Sequence, residues 1–343
     1  MQHNVSLAPL TTLGLGGPAR SYTRVTTLNE LTDAIGATHT GPLLVLGGGS
    51  NLVVRDGGFP GLVIHMALPG VAVEKHDDHA MVTANAGVVW DDFVAEMVAA
   101  GFVGVECLGG IPGLVGATPM QNVGAYGQEV ADTITTVRVL ERSTGAISEM
   151  TPAECAFAYR SSVFRGSDRW VIVAVTFRFT RGTQSTPIKY AELSKALGVA
   201  DGARAPLALV RETVIALRRS KGMVVDVNDP DSRSAGSFFT NPIVDAATVE
   251  QLRLRVPADT KIPTFPAADR MTKLAAGWLI ERAGFTKGTS RGAVGISSKH
   301  ALALVHRGGG TTRELLALAE EIRSGVRDRL GITIEPEPII VGI

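Results

Sequence analysis

Segment 47–51, with the sequence Gly-Gly-Gly-Ser-Asn, is the first place in the chain where residue types and spacing suggest chemistry. It directly follows the short apolar run 42–46, which we expect to form a strand. Consecutive glycines allow backbone N–H groups to converge on an anion, and the serine and asparagine add donors. The segment has neither the G-x-G-x-x-G of a Rossmann turn nor the Gly-Lys-Ser/Thr of a P-loop. It is therefore either a phosphate cradle of another kind or a simple turn.

A second glycine-rich stretch, residues 107–128, is longer and poor in charge. It contains Gly-Gly-Ile-Pro-Gly at 109–113 and Gln-Asn-Val-Gly-Ala-Tyr-Gly at 121–127. Such a stretch can present backbone groups to a large, flat ligand, because glycine permits close approach. A dinucleotide cofactor that carries an isoalloxazine ring would fit. This second stretch favours the phosphate cradle over the simple turn at 47–51.

Two side chains that follow these stretches in the chain could act on a substrate. Arg160 lies between the apolar residues Phe157 and Phe164, and its guanidinium could hold a carboxylate through two parallel hydrogen bonds. A surface arginine is the alternative. Ser237 is a weak acid by itself, and its residue type alone favours a serine of a turn or helix cap.

Two glutamates, Glu335 and Glu337, lie near the C-terminus in a stretch rich in aliphatic residues. Removing a carboxylate from water raises its pKa, so that it could share a proton with a substrate. The two residues have the same parity along a strand, and position alone does not choose between them. The histidines show no pairing at the spacing of metal ligands, so we expect no catalytic metal.

The elements that must position these residues form three blocks, 1–70, 71–220 and 221–343. Predicted strands are 19–25, 42–46, 52–54, 62–64, 71–73, 80–84, 135–140, 170–179 and 332–334. Predicted helices are 90–100, 207–220, 246–255, 275–282 and 311–330, with a further helix that begins at the capping box of Thr27 and Glu30. This order of elements, in which the glycine loop joins strand to strand, predicts an α+β fold.

Composition excludes several classes of protein. Lys plus Arg and Asp plus Glu each number 33, so the chain lacks the basic excess of a nucleic-acid or anionic-membrane binder. Its two cysteines, Cys107 and Cys155, argue against a disulfide framework and exclude a CxxC metal site. We see no signal-peptide pattern and no apolar run as long as a membrane span. We therefore expect a cytoplasmic protein with no nucleic-acid or membrane partner. The oligomeric state stays open, with a monomer as one alternative.

Taken in order, the motifs of the chain resemble those of the UDP-N-acetylenolpyruvoylglucosamine reductase family, also called UDP-N-acetylmuramate dehydrogenase. The resemblance covers nearly the whole chain, and the ordered set is far more specific than any single motif. The segments that carry it are 12–19 (Thr-Leu-Gly-Leu-Gly-Gly-Pro-Ala), 46–52 (Leu-Gly-Gly-Gly-Ser-Asn-Leu), 109–113, 121–127, 159–164 (Tyr-Arg-Ser-Ser-Val-Phe), 235–242 (Ala-Gly-Ser-Phe-Phe-Thr-Asn-Pro), 273–280 (Lys-Leu-Ala-Ala-Gly-Trp-Leu-Ile) and 335–337 (Glu-Pro-Glu).

The resemblance implies a vanillyl-alcohol-oxidase-like FAD-binding fold. Its two α+β subdomains would be residues 1–70 and 71–220, and residues 221–343 would bind substrate, with the last strand packed on the FAD-binding part. It also implies that NADPH reduces bound FAD, which then reduces UDP-N-acetylglucosamine enolpyruvate to UDP-N-acetylmuramate for peptidoglycan synthesis.

By position in the motifs, the resemblance assigns the site residues. Arg160 and Glu337 would stabilise the enolic intermediate, and Ser237 would be the proton donor. The FAD contacts would be Gly47, Gly48, Gly49, Ser50, Asn51, Leu52, Ile111, Pro112, Gly113 and Gly124. The substrate contacts would be Tyr126, Tyr159, Tyr190, Lys221, Asn241, Lys287 and His300, with Tyr190 on a loop that folds over the substrate.

Three positions depart from the pattern of the family. Thr240 stands where the family often has lysine, Gly222 follows Lys221 where Leu is usual, and Pro338 follows Glu337 where an aliphatic residue is usual. The first two bear on the diphosphate contacts and the third on the geometry around Glu337. Two alternatives stay open: another FAD-dependent oxidoreductase of the same fold, and a nucleotide-binding module without catalysis.

Overall fold

The structure is a computed structural model that describes residues 1–36 and 41–343. Its strands are β1 (Gln2–Ser6), β2 (Pro18–Val25), β3 (Leu43–Leu46), β4 (Leu52–Val54), β5 (Phe59–Met66), β6 (Val71–Lys75), β7 (His79–Asn85), β8 (Phe102–Val103), β9 (Gly124–Ala125), β10 (Gln128–Glu129), β11 (Ile134–Glu141), β12 (Ile147–Met150), β13 (Trp170–Arg181), β14 (Ser234–Ser237), β15 (Ile243–Val244), β16 (Thr264–Pro266), β17 (Thr272–Leu274), β18 (Ser290–Arg291), β19 (Val294–Ile296), β20 (Ala303–His306) and β21 (Ile339–Val341). Its helices are α1 (Leu28–Gly36), α2 (Trp90–Ala99), α3 (Pro152–Cys155), α4 (Ala191–Leu197), α5 (Leu207–Ser220), α6 (Ala246–Arg253), α7 (Ala276–Arg282) and α8 (Thr312–Leu330).

The chain divides into two units. The first contains residues 1–5, 20–48 and 60–224, and the second contains residues 6–19, 49–59 and 225–343. Two short N-terminal segments thus share a unit with the C-terminal block, a grouping that chain order alone does not give. The division into blocks 1–70, 71–220 and 221–343 stays a prediction.

The first unit is built on an antiparallel sheet in the order β12-β11-β13-β7-β6, to which β8 adds by pairing with β13. Helix α2 presents Trp90 and Phe93 to Phe177 of β13, with ring centroids 5.2–6.2 Å apart. These side chains are fully buried, because the apolar residues of α2 recur at helical spacing and those of β13 at alternate positions. A second sheet has the order β1-β2-β5-β3, with β3 and β5 parallel.

The second unit is built on the sheet β14-β20-β19-β18 and on α8. Helix α8 begins at a capping box of Thr311 and Glu314, as predicted, and ends at Gly331 in the left-handed conformation. Its buried residues include Leu315, Leu318 and Ile322, at the spacing of one helical face, and they join the core of this unit. No helix in the described residues is both long enough and apolar enough to cross a membrane.

Most predicted elements are confirmed to within a few residues, including the capping box of Thr27 and Glu30 and the connection from β3 to β4 through the glycine loop. The predicted final strand at 332–334 is wrong. Ile332 and Ile334 are buried in the core of the second unit without forming a strand, and the last strand is β21, which pairs in parallel with β4. Alternating aliphatic residues indicate burial, but a strand also requires a partner for its backbone.

Candidate active site

The first half of the glycine loop lies in the first unit, against the 109–113 stretch. A Cβ atom on Gly48 would lie 2.8 Å from Cα of Gly113, which leaves no room for any side chain. A Cβ atom on Gly47 would meet only Ala117 and Leu114, at 3.8 Å, an ordinary contact. The two glycine-rich motifs therefore touch through their backbones at Gly48 and Gly113, and only glycine at position 48 permits it.

Charged side chains on helices α2 and α5 stabilise the 109–113 stretch. Asp91 on α2 accepts hydrogen bonds from the N–H of Gly110 at 2.7 Å and from Arg211 on α5 at 2.8 Å. The carbonyl of Gly113 accepts the N–H of Trp90, the first residue of α2, at 3.0 Å. The stretch between these anchors contains Ile111 and Pro112, which are half-buried.

The second half of the loop, residues 49–51, lies in the second unit. Gly49 is buried with a φ of 60°, a conformation that favours glycine. Within the described chain, the N–H groups of Gly48, Gly49 and Ser50 donate to no protein acceptor. Buried N–H groups normally have partners, so unpaired donors at adjacent positions are typical of an anion site.

The end of the loop is joined to the C-terminal segment. The side-chain amide of Asn51 lies 3.5 Å from the carbonyl oxygen of Glu337, and the carbonyl of Asn51 accepts the N–H of Ile339 at 3.0 Å. Leu52, which is buried, then begins β4 and pairs with Ile339 in β21. The parallel pairing of β4 and β21 thus places Glu337 beside the glycine loop. Pro338 is buried between Glu337 and β21.

Ser237 and Glu337 are brought together by a second pairing. The N–H of Glu337 donates to the carbonyl of Phe238 at 2.9 Å, and the N–H of Thr240 donates to the carbonyl of Glu335 at 3.0 Å. The chain that follows Ser237 therefore runs antiparallel to segment 335–337. Phe238 is fully buried, which fixes this register.

The same pairing separates the two glutamates. The Glu335 side chain is 61% exposed, and Arg323 lies 3.8 Å from its carboxylate. Glu337 is half-buried. Of the two, Glu337 has the environment expected of a carboxylate that acts on a substrate, whereas Glu335 is a solvated surface group.

Ser237 ends β14, where it is half-buried and opposite Ala303 of β20. Gly236, with a φ of 77°, lies in an irregular stretch of the β14–β20 ladder just before it. No protein partner binds the Ser237 hydroxyl within the described residues. His300 lies in the turn that precedes β20, and its carbonyl accepts the N–H of Ala303 at 3.1 Å.

Arg160 lies in the first unit, in a tight turn. Tyr159 and Arg160 are the central residues of this turn, which two hydrogen bonds of 3.1 Å close between Ala158 and Ser161. Arg160 has a φ of 52°, a conformation that costs a residue other than glycine about 1–3 kcal/mol. The guanidinium lies 5.5 Å from the ring centre of Tyr159. Strain of this kind is commonest at functional sites.

Three hydrogen bonds attach this turn to the second glycine-rich stretch. Arg160 donates to the carbonyl of Gly124 at 2.9 Å, and Ser162 donates to the carbonyl of Met120 at 2.7 Å. Asn122, fully buried with a φ of 46°, donates to the carbonyl of Ala158 at 3.3 Å. The structure thus places Arg160 directly beside Gly124, which the sequence analysis assigned to the cofactor.

Three predicted substrate residues form a cluster in the first unit. The rings of Tyr126 and Tyr190 meet edge to face with centroids 5.2 Å apart, and Nζ of Lys221 lies 5.6 Å from the centre of the Tyr126 ring. Burial raises the pKa of Tyr126 to about 12, so its hydroxyl remains a hydrogen-bond donor at neutral pH. Lys221 also contacts the carboxylate of Glu192 at 2.5 Å. We call these four residues the Lys221 cluster.

The other predicted substrate residues lie in the second unit. The side-chain oxygen of Asn241 accepts the N–H of Ala276 at 2.9 Å and so stabilises the start of α7, which leaves its NH2 group facing elsewhere. Lys287 is exposed in the turn after α7. The structure gives no contact that joins Lys287 to the site, and its role stays a prediction.

The sequence alone did not indicate a role for Asn122, Glu192 or Arg218. Arg218 lies three residues before Lys221 on α5, and burial lowers the pKa of its guanidinium to about 10. Within the described residues its Nε is buried without a hydrogen-bond partner. Its positive charge partly offsets the effect of burial on the pKa of Tyr126. Lys221 directly follows the last residue of α5, so Arg218 lies in the turn of helix just before it.

Two family models match the chain. A family model described as the C-terminal domain of UDP-N-acetylenolpyruvoylglucosamine reductase matches residues 229–341, and a model of an FAD binding domain matches residues 19–151. A UDP-N-acetylenolpyruvoylglucosamine reductase from Thermobifida fusca is 51% identical over 347 residues, which cover 99% of this chain and 98% of that protein. Its counterpart from Salinispora arenicola is 49% identical and covers 98% and 94%.

A solved structure gives the same result. The crystal structure of the reductase from Thermus caldophilus superimposes with a TM-score of 0.68 and 26% identity, and the match covers 99% of this chain and 98% of that one. The α+β, vanillyl-alcohol-oxidase-like FAD-binding fold implied by the resemblance is therefore confirmed. The chain belongs to the UDP-N-acetylenolpyruvoylglucosamine reductase family.

Proposed function

We propose that Arg160, Ser237 and Glu337 carry the reaction of this family in this chain. The enzyme reduces UDP-N-acetylglucosamine enolpyruvate to UDP-N-acetylmuramate with NADPH and bound FAD, a step in the synthesis of peptidoglycan precursors. The observation that carries the assignment is that two separate pairings hold Glu337 beside both Asn51 of the glycine loop and the segment that follows Ser237. The test is to measure FAD reduction by NADPH and reoxidation by the enolpyruvyl sugar separately in variants of these three residues.

The glycine loops fit FAD. The unpaired N–H groups of Gly48, Gly49 and Ser50 are suited to a diphosphate, and the backbone contact of Gly48 with Gly113 keeps side chains away from it. The residues that would hold the cofactor are Gly47, Gly48, Gly49, Ser50, Asn51, Leu52, Ile111, Pro112, Gly113 and Gly124. When bound, FAD supplies the hydride that the reduction needs.

Three side chains carry the other parts of the reaction: binding of the carboxylate, stabilisation of the enolic species and protonation. Arg160 holds the carboxylate of the enolpyruvyl group, because its planar guanidinium binds two oxygens at once. As hydride adds to C3, the electron pair of the double bond moves towards that carboxylate, and Arg160 and Glu337 stabilise the enolic species that results. Ser237 then gives its hydroxyl proton to C2, which completes the reduction and requires that the serine recover a proton from solvent or a neighbour.

The remainder of the substrate would extend to the predicted binding residues. Tyr126, Tyr190 and Lys221 offer two hydroxyl donors and one cation for the diphosphate, and Lys221 provides the cation that Thr240 does not. Asn241, Tyr159, His300 and Lys287 complete the set. We further propose that the enzyme works in the cytoplasm, where nucleotide sugars and NADPH are made.

Gly48→Ala is expected to weaken FAD binding by about tenfold or more, since an added methyl group would force Gly48 and Gly113 apart. Gly36→Ala is the matched control and should retain flavin, because an added Cβ atom there would have nothing within 4 Å in the described residues and Gly36 lies outside both glycine-rich stretches. The measurement is titration of the apoprotein with FAD. If Gly48→Ala bound FAD as tightly as the unmodified protein, the backbone contact would have no part in holding the cofactor.

Arg160→Lys should slow reduction of the enolpyruvyl sugar by about tenfold or more, the scale of one lost charge-assisted hydrogen bond. Lysine keeps the charge and meets the same backbone strain at φ 52°. The paired hydrogen bonds of the guanidinium are lost, and so is its bond to the Gly124 carbonyl, whereas the bonds from Ser162 and Asn122 still attach the turn. Arg169→Lys, at an exposed ion pair with Glu141, is the control. Stopped-flow traces of the two half-reactions separate the effects, and equal losses in both would indicate a structural arginine.

A further inference from the structure

The Lys221 cluster contains one residue that the proposed function does not use. Nζ of Lys221 lies 2.5 Å from the carboxylate of Glu192, and the two side chains are 30% and 40% exposed. Partial burial raises the pKa of Tyr190, and the charge of Glu192, two residues along the chain, raises it further. The carboxylate of Glu192 is therefore already paired with Lys221, the lysine of this cluster that is expected to bind a diphosphate.

Two anions compete for one ammonium group in this arrangement. A half-buried carboxylate at hydrogen-bond distance largely neutralises Lys221, and attraction between such charges is stronger than in bulk water. A diphosphate that approaches Lys221 also approaches Glu192 and is repelled by it. The neighbouring cation Arg218 donates to the carbonyl of Met223, whereas Glu192 pairs with Lys221.

Glu192 is tied to the segment that would close over the substrate. It lies in the first turn of α4, which begins directly after Tyr190, and Ser194 donates through both its N–H and its hydroxyl to the Tyr190 carbonyl. Lys221 lies at the end of α5. The ion pair thus joins the end of α5 to the start of α4 and holds Tyr190 against Tyr126.

We propose that Glu192 is a specificity-determining residue that makes Lys221 exchange a carboxylate for the diphosphate of the nucleotide sugar. The inference rests on the proposed role of Lys221. Only a ligand with enough negative charge at this point can displace Glu192, so a neutral nucleoside gains nothing from Lys221. Displacement also releases α4 from α5, which couples arrival of the diphosphate to movement of Tyr190.

The test is equilibrium binding of UDP and of uridine to the FAD-loaded enzyme, measured by calorimetry at low salt. Glu192→Gln should bind UDP about three- to tenfold more tightly, because repulsion is removed and Lys221 is released. Its affinity for uridine should not change. At about 1 M salt the gain should shrink, since exposed charges are then screened. Unchanged or weakened UDP binding by Glu192→Gln would overturn the proposal.

Three further variants separate this inference from the proposed function. Glu212→Gln removes a charge from an exposed position of α5 and controls for net charge. Lys221→Met should weaken UDP binding, and adding Glu192→Gln to it should then give no gain. If Lys221→Met left UDP affinity unchanged, the diphosphate role of Lys221 itself would be wrong. If Lys221→Met weakened binding but Glu192→Gln did not tighten it, only the exchange would be wrong.

Discussion

Ser237→Ala is expected to slow reoxidation of the reduced enzyme by the UDP-enolpyruvyl sugar by about 10²–10⁴, the usual contribution of a positioned acid. Reduction of bound FAD by NADPH should change little. The substitution removes one hydroxyl that has no protein partner in the described residues, so the β14–β20 pairing should survive. Stopped-flow absorbance follows both half-reactions, because reduced flavin is bleached.

The order of the steps gives a second readout. If hydride transfer is reversible, Ser237→Ala should still exchange hydrogen at C3 while it forms little product. Ser290→Ala, on the exposed strand β18 of the same unit, is the matched control and should behave as the unmodified enzyme. Reoxidation of Ser237→Ala at the normal rate with normal product would show that another group supplies the proton.

Glu337→Gln is expected to slow the hydride step itself by about 10², the scale of one lost stabilising group at a developing charge. Exchange at C3 should fall with it, which distinguishes this variant from Ser237→Ala. Glutamine preserves size and the backbone bond to Phe238, so the local pairing is retained.

Glu335→Gln provides an internal control two residues away. Its side chain is exposed and faces Arg323, so its removal should change the rate by less than about twofold, as for most exposed ion pairs. Equal losses in Glu335→Gln and Glu337→Gln would point to the charge of the segment as a whole. A larger loss in Glu335→Gln would exchange the roles of the two residues.

The alternatives raised by the sequence differ in what these variants would show. An oxidase of the same fold would bind FAD but would have no need for Arg160, Ser237 and Glu337 together. A binding module without catalysis would not oxidise NADPH. Membership of the family, shown by relatives of about 50% identity along the whole chain, excludes both as the principal function.

Local pattern was sufficient wherever an element is defined by its own residues. The capping boxes at Thr27 and Thr311, the apolar face of α8 and the alternation in β7 and β13 all predicted the observed elements, because short-range hydrogen bonding and burial of one face decide them. Segment 332–334 is the exception. Its alternation reflects burial alone, and the strand forms after Pro338, where β4 offers a partner.

By itself the sequence determined the order of elements, the family and the residue types available for reduction of an enolpyruvyl group. Only the tertiary structure decided which distant segments meet. It paired segment 335–337 with the chain after Ser237 and β21 with β4, attached the Arg160 turn to Gly124, and joined Lys221 to Glu192. The paired residues are 95–99 positions apart in the first case and 287 in the second, and 36 and 29 positions apart in the last two. Such contacts depend on the register and packing of whole sheets, which no local pattern contains.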